Sequence, residues 1–335
     1  KLAKPERQKL MKTGEFERII QYFAPLASEF PGAFGLTDDA AVLSVAPGYE
    51  FAVTTDTVVE GVHFVGDEPP AQIAAKMLRV NLSDLAAMGA RPVAYTLNIA
   101  LRRDVDDAWL KGFCAGLRAD QDAFGVHLMG GDSVATNGPV VLTVTAFGET
   151  PSGKALRRNG AVPGDRIYVS GTIGDAALGL RVVQGKLVGL EDAAAAGLAL
   201  RYHLPEPRLT LGRALINVAS AAADISDGLV ADLGHITDAS GVGAVLNWED
   251  VPISVAARAT ATLVDNLPEV ILTGGDDYEL VFTAPVDVAP KLSVLAKRLN
   301  LDLCEVGVIE ANNGVRVIDV NGREIVLQEQ GYVHC

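Results

Sequence analysis

The 335-residue chain is 49% hydrophobic and 21% charged, a globular composition with length enough for two cores. Its 28 basic and 42 acidic residues give a formal net charge of -14, which repels a nucleic-acid backbone over most of the surface and argues against such a partner. No apolar run predicts a membrane span or a signal core, and Cys114, Cys304 and Cys335, dispersed without C-x-x-C spacing, suit a reducing cytoplasm.

Residues 1–12 are basic and run through a natural start at Met11; they read as a disordered extension or a cloning remnant. Alternation then predicts strands over 40–45, 51–55, 93–101 and 140–147, with helices over 70–88 and 105–123. The turn-rich segment from Pro151 puts a domain boundary near residue 150, and R-I-Y-V-S-G opens a further strand. Helices are expected over 174–184, 207–220 and 228–239, and strands near 244–248, 279–283, 304–309 and 315–319. This order has no regular βαβ repeat, so the expected fold class is α+β, in two domains spanning 13–150 and 151–335.

Short acidic motifs, each expected in a turn beside an apolar run, punctuate this order: T-D-D-A-A-V at Asp38 and Asp39, T-T-D-T at Asp56, N-L-S-D at Asp84, G-G-D at Asp132, D-I-S-D-G at Asp224 and Asp227, and G-G-D-D-Y-E-L at Asp276 and Asp277. Carboxylates beside such hydrophobic segments need a compensating cation, and an oxygen-only donor set suits Mg²⁺. Taken singly, most motifs have a plain alternative. Asp38 and Asp39 also read as solvated turn formers. Asp56 is expected to end its strand, with Thr54 and Thr55 adding oxygens beside it. Helical spacing places Asp84 on the stripe of Ile73, Met77, Val80 and Met88, with Lys76, Arg79 and Ser83 opposite; equally, N-L-S-D would cap a second short helix. Gly130-Gly131-Asp132 is either a phosphate-approach loop or a tight turn. In D-I-S-D-G, capping accounts for one acid of the two, and the following helix N-terminus favours a phosphate. His63 is the one histidine near an acidic motif, and Gly171-Thr172-Ile173-Gly174 is an incomplete nucleotide fingerprint. P-loop and zincin signatures are absent.

Together, T-T-D-T-V-V-E-G-V-H-F, N-L-S-D-L-A-A-M-G-A, G-D-R-I-Y-V-S-G-T-I-G-D, D-I-S-D-G-L, D-L-G-H-I and G-D-D-Y-E-L resemble the thiamine-monophosphate kinase family, within the superfamily that includes aminoimidazole ribonucleotide synthetase. The resemblance runs from about residue 13 to the C-terminus. It implies ATP-dependent phosphorylation of thiamine phosphate to thiamine diphosphate, several Mg²⁺ ions, and a homodimer joined through an N-terminal domain that binds metal and ATP. It carries metal ligation to Asp39, Asp56, Asp84, Asp132, Asp224 and Asp227, helped by Thr54 and Thr55. Nucleotide contact falls to Gly131, Asp132, Arg158 and Ser226, and acceptor contact to His63 and Asp276, with Tyr332 a candidate for stacking on the thiamine rings. The chain departs from the family pattern at Thr37 (commonly Gly), Asp276 (commonly Glu) and Glu329 (commonly a stacking aromatic). Two alternatives remain: a carbamoyl dehydratase of hydrogenase maturation using the C-terminal Cys335, and a nonenzymatic nucleotide- or metal-binding module. The kinase reading needs no general base, because the acceptor phosphate has a second pKa of about 6 and is ionised at neutral pH.

Overall fold

The computed structural model describes residues 15–332, so the extension at 1–12 and Cys335 lie outside the described residues. The chain divides into two compact units, one formed by residues up to Asn81 with Pro92–Glu149, the other by Leu82–Arg91 with Thr150 onward.

The first unit opens with α1 (Glu15–Arg18), a π-helical turn and α2 (Ala24–Ala27), followed by a 3-10 segment, Pro31–Leu36. Its sheet comprises β1 (Tyr49–Val59), β2 (Arg91–Arg102), β3 (His127–Thr136) and β4 (Val141–Pro151), in the order β1-β4-β2-β3. The helices are α3 (Pro70–Ala87), whose last turns group with the second unit, and α4 (Asp107–Phe124), which connects the parallel neighbours β2 and β3. Side chains along β4 alternate between buried and half-buried, the period-2 signature of a sheet with one covered face. Asp106 starts α4 by accepting the Trp109 N–H at 2.8 Å, and Gly125 ends it at φ 64°, a left-handed value open to glycine at no steric cost.

Three sequence expectations fail here, and α3 is buried on both sides. No strand forms over 40–45: Val42 donates its N–H to Gly32 across a loop and finds no neighbouring strand. The Gly-Gly-Asp run is no turn but the middle of β3, and Asp56 lies inside β1, which continues to Val59. α3 has no solvated side: Lys76 is 5% and Ser83 0% exposed, while Arg79 makes a bidentate pair with Asp120 of α4 at 2.9 and 2.7 Å.

The second unit is a mixed six-stranded sheet of order β10-β7-β9-β5-β8-β6. Its strands are β5 (Arg166–Ser170), β6 (Ala221–Asp224), β7 (Gly243–Asn247), β8 (Leu280–Ala284), β9 (Leu303–Glu310) and β10 (Gly314–Ile318). All are paired antiparallel except β10 with β7. Between them run α5 (Asp175–Val183), α6 (Asp192–His203), α7 (Leu209–Leu215), α8 (Leu229–Ser240), α9 (Val255–Arg258), α10 (Leu267–Thr273) and α11 (Ala289–Leu299). Both faces are covered: Ile167, Val169 and Val281 pack with Leu229, Leu233 and Ile236 of α8, while Tyr168, Leu280 and Phe282 pack with α7 and α11. Two-sided burial explains why β8 reads L-V-F-T-A without polar alternation.

Candidate active site

In the first unit two of the acidic motifs, T-D-D and G-G-D, line a cavity of about 560 Å³. Its apolar floor includes Phe23, Leu97, Leu128 and Met129, and its rim carries Asp38, Asp39, Gly131 and Asp132. All three carboxylates are exposed, and no Lys, Arg or His stands among the described lining residues. Oxygen donors without a protein cation fit a hard divalent ion such as Mg²⁺. Local geometry explains how the rim is held. Phe34, Gly35 and Leu36 are successively left-handed (φ 50°, 66° and 61°), a strain of about 1–3 kcal/mol per non-glycine residue that swings the chain toward Asp38 and Asp39. At Gly131 an added Cβ would lie 1.8 Å from the Leu97 carbonyl, so glycine is required there for close strand approach, placing Asp132 one residue on.

β1 contributes separately. Its period-2 pattern puts Thr54 and Asp56 on the more buried face and Thr55 on the exposed one, where the Thr55 hydroxyl donates to the Val144 carbonyl at 3.0 Å. The Asp56 N–H donates to Asn81 Oδ1 at 3.1 Å, fastening β1 to α3. These three residues lie outside the cavity lining. In the turn after β1, His63 Nδ1 accepts the Val59 N–H at 3.1 Å, which leaves the ring proton of the neutral form on Nε2. Asp84 is half-buried inside α3, so it does not cap a second helix.

In the second unit D-I-S-D-G leaves β6 at Asp224 and enters α8 at Leu229. It lies against G-G-D-D-Y-E: the Asp276 N–H donates to the Ser226 carbonyl and the Tyr278 N–H to that of Ile225, each at 2.8 Å. Asp224, Ser226, Asp227 and Asp276 are thereby brought together. The turn amides, expected to face a phosphate, instead serve Asp232: its Oδ2 accepts the N–H groups of Ser226, Asp227 and Gly228 at 3.0, 3.0 and 3.1 Å. Burial pushes the Asp232 carboxyl up to about 7; the three amides oppose the shift and the Asp227 charge adds to it. Asp276 and Tyr278 are both left-handed (φ 73° and 51°), so the residues between and after them, Asp277 and Glu279, turn inward. Asp277 accepts the Gly174 and Ala176 N–H groups at 2.6 and 3.2 Å at the start of α5, and burial raises its carboxyl to about 8. Glu279, 0% exposed, binds Arg201 at 2.7 Å, Arg208 at 2.6 Å and the Ser170 hydroxyl at 2.6 Å.

The chain's final described segment is tied down by its backbone. The Gln328 and Glu329 N–H groups reach Glu269 Oε1 at 2.7 and 3.2 Å, and the Tyr332 N–H reaches the Asp227 carbonyl at 2.9 Å. Tyr332 is therefore delivered to D-I-S-D-G, with its side chain half exposed. Arg158 lies in an exposed loop, its carbonyl accepting from the Ser240 hydroxyl. Sequence reasoning gave no role to Asp232, Glu279, Arg201 or Arg208; the first two stand inside D-L-G-H-I and G-D-D-Y-E-L, and that placement is the one signal available.

This architecture and its acidic turns define the AIR synthase related class: the model of that class's N-terminal domain matches residues 37–150 and that of its C-terminal domain residues 162–320. A thiamine-monophosphate kinase of Salmonella typhimurium is 41% identical over 97% of this chain and 99% of its own length. The crystal structure of the thiamine-monophosphate kinase from Stenotrophomonas maltophilia K279a is 43% identical, with a TM-score of 0.79 over 87% of this chain and 91% of that one. AaThiL complexed with AMPPCP and TMP is 29% identical with a TM-score of 0.76, covering 91% of this chain and 97% of that one. The chain belongs to the thiamine-monophosphate kinase family. Hydrogenase maturation protein HypE, at 20% identity and a TM-score of 0.75, shares the fold alone.

Proposed function

We propose that this protein is an ATP-dependent kinase that transfers the γ-phosphoryl group to thiamine phosphate, forming thiamine diphosphate. The observation that carries the reading is near-full-length membership in the thiamine-monophosphate kinase family. The rim of exposed carboxylates over an apolar floor supports it physically: the floor suits a nucleotide base, and the rim suits metal-held phosphates.

In this reading Asp39, Asp56, Asp84, Asp132, Asp224 and Asp227 hold magnesium, with Thr54 and Thr55 supplying oxygens. When bound, magnesium would offset the repulsion between two phosphorylated anions. Gly131, Asp132, Ser226 and Arg158 hold the nucleotide, Arg158 adding positive charge. His63 offers its Nε2–H to the acceptor phosphate, while Asp276 and Tyr332 complete the acceptor contacts. Because the acceptor oxygen is already ionised, the residues position and neutralise rather than remove a proton. Exposed Val53 on β1 and Val134 on β3 support a homodimer formed through this unit, and the reading extends to a cytoplasmic location.

With ATP and Mg²⁺, thiamine phosphate is converted and free thiamine is not, since its hydroxyl would need a base. Comparable turnover of the two acceptors would overturn the mechanism. Sedimentation giving only monomer at micromolar protein with full activity would remove the dimer.

A further inference from the structure

α8 carries donors that the phosphoryl-transfer reading leaves unused. Asp232 and His235 are three positions apart and so share one helix face, and Asp227 lies in the turn just before them. One donor atom from each of Asp227, Asp232 and His235 lies within 4.8 Å of the others.

Asp232 is 1% exposed, and all three of its hydrogen bonds fall on Oδ2. Its other oxygen, Oδ1, accepts none among the described residues, and neither Asp232 nor the exposed His235 forms an ion pair among them. One oxygen of a nearly buried carboxylate thus stands beside a second carboxylate and an imidazole without a hydrogen bond of its own. The amides on Oδ2 fix the carboxylate's orientation, as outer contacts of metal ligands do.

We propose that Asp227, Asp232 and His235 form a site for a divalent transition-metal ion of the zinc or manganese kind. The imidazole sets this site apart from an oxygen-only magnesium set, because nitrogen donors favour borderline cations. Three protein donors leave the remaining coordination positions to water, the usual form of an open zinc site. One consequence rests on the phosphoryl-transfer reading: an ion held here engages Asp227, withdraws it from magnesium and inhibits the kinase. The site itself does not depend on that reading.

Co²⁺ added to the magnesium-free full chain is the direct probe, read by its visible ligand-field absorption and by displacement with Zn²⁺. One equivalent is expected to bind the wild type, and His235→Ala to weaken binding by more than about tenfold. Asp232→Asn is expected to do the same, and the surface position of His235 keeps the test valid if the buried variant folds poorly. Unchanged Co²⁺ binding in His235→Ala overturns the proposal, as does a near-ultraviolet thiolate charge-transfer band that survives that substitution, which would put the metal on a cysteine. In the kinase assay, Zn²⁺ at concentrations that saturate the site inhibits the wild type, and His235→Ala resists it with its magnesium-supported rate unchanged. Binding that is lost in His235→Ala, without inhibition of the wild type, confirms the site and overturns the role of Asp227 in turnover.

Discussion

Carboxylates of the two units have opposite surroundings. Asp232, Asp277 and Glu279 in the second unit are at most 1% exposed, and backbone amides or guanidinium groups meet them from inside the chain. Asp38, Asp39 and Asp132 in the first unit are exposed around a cavity whose described lining holds no basic side chain. The charged group is a carboxylate in both, so partner supply sets the role. A carboxylate oxygen supplied with N–H groups by its own fold holds loops in place, whereas one without them is open to a cation from solution; Asp232 combines the two, its Oδ2 holding the turn and its Oδ1 left for the proposed metal.

The largest expected effect breaks the buried set. Glu279→Ala leaves Arg201 and Arg208 without their shared counterion and is expected to destabilise by about 3–5 kcal/mol, read as a lower urea midpoint. An unchanged midpoint would show that Glu279 is not structural in the sense argued. Next in size, Asp56→Asn and Asp84→Asn each remove a proposed metal ligand at constant volume. Turnover at limiting Mg²⁺ is expected to drop about 100-fold or more, with thermal midpoints near wild type. Near-normal rates would refute the metal assignment, and loss of folding would move Asp84 into the buried, structural group.

A smaller effect is expected from His63→Ala: the KM for thiamine phosphate rises several-fold while that for ATP stays put, because the contact involves one substrate. Equal shifts in both constants would place His63 elsewhere. The mildest test is pH. The Asp277 carboxyl holds its proton up to about 8 in the native state, while the unfolded chain releases it near the ordinary value of about 4. The native state therefore binds more protons between those limits, and this contribution to stability declines as pH rises through that window. Asp277→Asn is expected to flatten the decline in Tm between pH 5 and 8, at some overall cost; a decline as steep as that of the wild type would show that Asp277 is ionised in the native state.

What the sequence disclosed follows the range of the interactions involved. Strands β1, β2 and β4 and helices α3 and α4 announce themselves through local periodicity, so the α+β class was readable. β3 escaped because Gly130-Gly131-Asp132 carries turn residues, and only the approach of Gly131 to Leu97 explains glycine inside a strand. The alternating A-A-V-L-S-V at 40–45 misled for the converse reason: its pattern suits a strand, but no partner strand reaches it. α6 was missed because its alanine-rich run buries only Leu198 and Tyr202, too weak a stripe to detect. At the site, acidic motifs were visible one by one, and the family resemblance linked them. The binding of Glu279 by Arg201 and Arg208 was not visible, since those partners lie 78 and 71 positions away.

The closing segment at 328–332 is gripped through peptide N–H groups, at Glu269 and at the Asp227 carbonyl, and every non-proline residue provides that group. At positions 328 and 329 the grip is therefore blind to side-chain identity, whereas at Gly331 an added Cβ would lie 2.4 Å from Ala231. Glu329, where the family resemblance implies an aromatic, docks the tail through its N–H as an aromatic would. A lineage can exchange side chains at 328–330 and retune what the tail offers a substrate while its attachment stays constant, which makes this short stretch a place where specificity can drift without endangering the scaffold.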